Sequence, residues 1–166
     1  MPNNVSRRFV GLSLVVAATI LWTAPVHAAD PKKTGEQIYQ IYVDTMSRSN
    51  AVLADTPAPS PEIAAQLDAI KEDAITELVA LGRDVADMSD ADRATVEAVV
   101  SSSVSSIHRN SDTKQVYADY QAVWGAYVGG DRDFFDRIKS LNILTQYAFF
   151  DLLRKQAPKE ADRLGV

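Results

Sequence analysis

Along this chain, apolar residues recur every three or four positions within long stretches, and short runs of proline, glycine or small polar residues separate those stretches. That spacing marks one face of a helix. After a polar lead (Asp30 to Thr34), a first stripe runs through Ile38, Ile41, Tyr42, Val52 and Leu53, with the small Thr45 and Ser49 between them. It stops before Thr56-Pro57-Ala58-Pro59-Ser60-Pro61, because alternating prolines force an extended connection. Ser60, Pro61 and Glu62 then supply an N-cap, a proline at the first helical position and an acid in the first turn. The second stripe follows through Ile63, Leu67, Ile70, Ala74, Leu78, Leu81, Val85 and Met88, and passes Gly82 in phase.

Ser89 with Asp92 opens a third helix carrying Val96, Val99, Val100, Ser103, Val104 and Ile107. Its SSSVSS stretch (Ser101 to Ser106) is poor in helix formers, and small size suits a close helix crossing. A fourth helix carries Val116, Tyr117, Tyr120, Val123, Trp124, Tyr127 and Val128 and stops at Gly129-Gly130. Asp131 and Asp133 open a fifth, with no charge from Ser140 to Phe150. A helix apolar on nearly every side lies centrally or against a second chain. No alternating run bounded by hairpin turns occurs, which argues against a sheet. The pattern predicts an all-α fold, an up-and-down antiparallel bundle of about five helices.

The N-terminus reads differently. Arg7 and Arg8 precede an apolar run, Phe9 to Trp22, then Pro25 and the small residues before Ala29. That is the order of a cleaved secretory signal. The apolar run is shorter than the roughly 20 residues that span a bilayer, so no membrane span is expected in the mature chain. The arginine pair fits either an ordinary or a twin-arginine signal. The expected divisions are a signal peptide over 1–28, a polar lead over 29–34, the bundle over 35–157 and a polar tail over 158–166, with a periplasmic or secreted address.

Without Arg7 and Arg8, 15 basic residues face 22 acidic ones, a formal charge of about −7. An acidic balance disfavours nucleic acid, which needs a basic footprint. The absence of cysteine removes disulfides and lipid attachment at cysteine. Gly35-Glu36-Gln37-Ile38-Tyr39 resembles the opening of small cytochromes c, but the haem-binding cysteines are missing, which removes the resemblance.

No motif marks a reaction, and no cofactor is implied. The mature chain has one histidine, His108, placed to complement a helix C-terminus. Asp73 and Glu77 lie one helical turn apart, as carboxylates on solvated faces commonly do. Asp131, Asp133 and Asp136 offer hard oxygen ligands to a cation, although acids at a helix start are stabilised by its dipole without one.

The aromatic positions carry more. Tyr117, Tyr120, Trp124 and Tyr127 follow steps of three, four and three, so their rings share one face of the fourth helix. Such a row is either core or a recognition surface. The first functional reading is a non-enzymatic interaction protein that binds a protein partner, basic in character, or a second copy of itself through this face. The alternative is a binder of a small apolar ligand, its cavity lined by the same side chains with Phe149 and Phe150. An enzyme using carboxylates or a serine has the least support.

Overall fold

The computed structural model describes residues 29–166, so the signal-peptide reading of residues 1–28 lies outside the described residues. Those described are all-helical: α1 (Pro31–Leu53), α2 (Pro61–Ala86), α3 (Asp90–Ser106), α4 (Lys114–Ala126), α5 (Arg132–Lys139), a 3-10 segment (Ser140–Ala148), α6 (Phe150–Gln156) and α7 (Pro158–Leu164), with no strand among them. None of these helices is long and apolar enough to cross a membrane.

The helix starts are chemically explicit. The Ser60 hydroxyl accepts from the Ile63 amide at 3.3 Å, Ser89 accepts from Asp92 at 3.2 Å, and Asp131 accepts from Phe134 at 2.9 Å. Each satisfies an amide that the first turn leaves unpaired. The first helix begins at Pro31, inside the stretch expected as a polar lead. Asp30 caps it by accepting from Lys32, Pro31 occupies the first turn, and the Thr34 hydroxyl donates to the Asp30 carbonyl. A cap and a helix-initiating proline outweigh the lack of an apolar stripe there.

Helix α1 is the axis of the molecule. Ile38, Tyr42, Met46 and Leu53 are buried along it, and α2, α3, α4 and the 3-10 segment all pack against it. α3 lies mainly on α1 and scarcely touches α2, despite the short Asp87-Met88-Ser89 link. Helices α1 and α3 come close at Gly35, where an added Cβ would lie 2.8 Å from Val99 Cβ and 3.2 Å from the Val96 carbonyl oxygen. α4 takes the other part of α1: the Asn50 amide donates to the Val116 carbonyl at 2.9 Å. The corner between α3 and α4 is strapped by Tyr39, whose hydroxyl donates to Thr113 Oγ1, and by Thr113, whose hydroxyl donates to the Ile107 carbonyl.

The expected long fifth helix is broken. Leu141, Leu144 and Tyr147, three residues apart, are all buried, and a 3-10 turn stacks residues at that spacing on one face. The uncharged stretch therefore turns one narrow apolar edge into the core beside α1 and α2 and leaves Ile143 exposed. At Phe149 the backbone becomes extended (φ −126°, ψ 86°), and again at Ala157 (φ −141°, ψ 65°), which isolates α6 between two bends. The stretch expected as a polar tail forms α7. Ala161 is buried there, and Arg163 forms a two-pronged ion pair with Glu72 of α2 at 3.0 and 3.2 Å.

Candidate functional site

The six aromatic residues singled out from the pattern separate into two places. Tyr120 and Tyr127 on α4 are buried, and their hydroxyls point inward: Tyr120 donates to the Ile138 carbonyl at 2.8 Å, Tyr127 to the Pro57 carbonyl at 2.7 Å. Each phenol thus meets the polar need of its buried tip, as core tyrosines do. Tyr117 and Trp124 are half-buried against the same core. The Tyr127 ring centroid lies 5.0 Å from that of Phe134, and Trp124 lies 5.5 Å from Phe135, so the row mainly seats α5. Burial pushes the Tyr42 and Tyr120 hydroxyls well above the ordinary phenol range, with Tyr117 adding to the effect on both.

Phe149 and Phe150 go elsewhere, into a cleft of about 690 Å³ enclosed by the C-terminal end of α2, one face of α3, the end of the 3-10 segment and α6. Its apolar side comprises Val85, Val100, Val104, Ala148, Phe149 and Phe150. Gly82 forms part of the wall because only a residue without Cβ admits the Phe150 ring: an added Cβ would lie 2.6 Å from Phe150 Cε1. Leu152, at the cleft margin, is 40% exposed.

The other side of the cleft is polar. Arg93, Glu97, Ser101 and Ser105 line it at successive steps of four along α3, and Thr145, Asp151 and Arg154 complete the rim. The serine stretch divides accordingly. Ser102 and Ser106 donate back to carbonyls of their own helix, whereas Ser101 and Ser105, facing the cleft, make no such bond. Composition alone reads this stretch as packing. The signal for a polar line was the four-residue period of 93, 97, 101 and 105, which crosses the boundary of the serine run.

The remaining candidates do not converge. Asp131 is occupied as a helix cap and Asp136 pairs with Arg132 at 3.1 Å, while Asp133 is exposed. Asp131 and Asp133 border a separate hollow of about 250 Å³ with Pro59, Pro61 and Arg137. No three metal-ligating side chains gather among the described residues. Asp73 pairs with Arg48 of α1 at 2.7 Å, Glu77 is exposed, and His108 lies exposed just beyond the end of α3.

Comparisons of this chain with protein-family models, with curated proteins and with solved structures give no match.

Proposed function

We propose that this chain is exported by a cleaved signal peptide to the periplasm or beyond, as a helical bundle arranged around α1, and that it binds a small, largely apolar molecule in the cleft between α2, α3 and α6. The observation that carries the reading is that Phe149, Phe150, Val100 and Val104 line one cleft of about 690 Å³. Ligand sites are commonly concave, of roughly 300–1,000 Å³, mostly apolar, with a few polar groups to fix orientation. Here Ser101, Ser105 and Thr145 supply those groups. The aromatic row of α4 supports this reading less directly, because Tyr120 and Tyr127 are turned into the core.

The test is native mass spectrometry of the chain recovered from a bacterial periplasm, before and after denaturation. A mature N-terminus at Ala29 and an excess mass that disappears on denaturation are the expected results. Val104→Trp, which fills the cleft, should abolish the excess mass. An unprocessed N-terminus would remove the export part of the proposal, and an excess mass unaffected by Val104→Trp would remove the cleft.

A second reading, association with a protein partner or a second copy, draws on Ile143 and Leu152, which are 54% and 40% exposed although most large apolar side chains among the described residues are buried or partly buried. A doubled mass that Ile143→Glu returns to that of a monomer would favour it.

A further inference from the structure

Resting on the ligand-site reading, we infer that the occupant of the cleft is an apolar molecule bearing a primary ammonium group, with the ammonium on Glu97. Four charged residues line the cleft: Arg93, Glu97, Asp151 and Arg154. Three of them already have an ionic partner on their own helix. Arg93 pairs with Asp90, and Arg154 Nη1 pairs with Asp151 at 3.0 Å. Glu97 has neither an ion pair nor a side-chain hydrogen bond among the described residues, although it sits midway along the polar line of α3. Arg93 lies one turn towards the N-terminus, and that arrangement, basic residue before acid, is the weaker order for a helix pair.

The surroundings suit a cation in two further ways. Glu97 and Ser101 are solvent-exposed at the cleft, the Phe149 and Phe150 rings line it too, and aromatic faces attract an ammonium. Ser101, one turn beyond Glu97, carries a free hydroxyl oxygen that can accept a second N–H from the same nitrogen. The apolar body would then lie along Val100, Val104 and Phe150.

Three probes of equal chain length separate charge from burial: dodecylammonium, dodecanol and dodecanoate, each kept below the concentration at which it forms micelles. Calorimetric titration of the mature chain should give the ammonium an affinity at least about tenfold above the other two, the scale of one hydrogen bond to a charged group. Glu97→Gln should erase that preference by bringing dodecylammonium affinity down to that of dodecanol on the same variant. Asp133→Asn, an equal charge change away from the cleft, should leave the preference intact. Equal affinities, a preference for the carboxylate (drawn by Arg93 and Arg154), or an ammonium preference that survives Glu97→Gln or is lost in Asp133→Asn would overturn the inference. Binding of none of the three would overturn the ligand-site reading itself, and the charge assignment with it.

Discussion

Gly82 on α2 and Phe150 at the start of α6 occupy the same space: a methyl group on Gly82 would stand 2.6 Å from one ring carbon of Phe150 and 2.8 Å from the next. Both residues line the cleft, so the absence of one side chain sets where the other can lie. Ala148 Cα, at 3.2 Å from the same hypothetical methyl, limits escape on the backbone side.

Gly82→Ala should therefore lower stability and change the cleft. Alanine favours a helix interior by about 1 kcal/mol over glycine. Overpacking typically costs about 1–3 kcal/mol, and here both a ring and a backbone atom must move. We expect a net loss of about 1 kcal/mol, within the roughly 0–2 kcal/mol that these two effects leave, in denaturant unfolding, together with weaker binding of dodecanol. An unchanged midpoint would mean that Phe150 swings aside freely.

Gly35→Ala should act more strongly. It would meet Val99 Cβ and Cγ1, each at 2.8 Å, and the Cβ is fixed to the backbone of α3, so two helices must separate and not one ring. Overpacking near the top of its range, about 3 kcal/mol, less the roughly 1 kcal/mol that alanine gains in a helix, gives an expected loss of about 2 kcal/mol. The added Gly35→Ala penalty should be partly recovered by Val99→Ala, which trims the opposing side chain, and a double-mutant cycle measures that coupling.

Tyr120→Phe removes a buried hydroxyl and leaves the Ile138 carbonyl without its 2.8 Å donor. The expected cost is about 1–2 kcal/mol, with ring packing retained. Thermal unfolding should show a midpoint lower by roughly 3–8 °C. Tyr120 does not line the cleft, so probe binding there should be unaffected in the folded protein.

Alkaline pH should weaken the fold through its tyrosines. Burial, reinforced by the Glu160 carboxylate, pushes the Tyr147 hydroxyl up to about 12 from the ordinary value of 10.0, and burial raises Tyr120 and Tyr42 as well. Between about pH 10 and about pH 12 the unfolded chain has lost a proton that the native Tyr147 still holds, so stability falls as pH rises through that window. Below it the contribution is fully present. Urea midpoints across the window should decline, and Tyr147→Phe should make the decline shallower.

The parts of this architecture legible in the sequence are those that local chemistry determines. Ser60, Ser89 and Asp131 sit at helix starts because each offers an oxygen to an unpaired amide within three residues. Gly82 does not interrupt α2 because the apolar period runs through it. The break at Phe149 and the 3-10 segment before it were not legible, since Leu141, Leu144 and Tyr147 fit either helical period and the choice is made by α1 and α2 pressing on them. The site was half legible. Phe149 and Phe150 stood out as aromatics, but the cleft exists only where α6 folds back beside Gly82, a tertiary event without a local mark. The serine stretch suggested a close helix crossing, and Gly35 of α1 meets α3 at Val96 and Val99, just before that stretch.

Trp124 provides the sharpest comparison between the aromatic row and the cleft. Its indole nitrogen is buried with no hydrogen-bond partner, while its ring lies 5.5 Å from Phe135. An unpaired buried donor costs about 1–3 kcal/mol, so Trp124→Phe removes a penalty and keeps an aromatic contact. The substitution should be close to neutral in stability, whereas Trp124→Ala should lose about 1–3 kcal/mol, below the cost of truncating a fully buried aromatic because Trp124 is half-buried. Both variants should retain probe binding once folded, because Trp124 does not line the cleft. Phe149→Ala should show the opposite pattern, a modest stability loss at this half-buried position and a marked loss of probe affinity. Should Trp124→Phe abolish binding while Phe149→Ala spares it, the ligand site would have to move to the face of α4, and the cleft between α2, α3 and α6 would lose its assigned role.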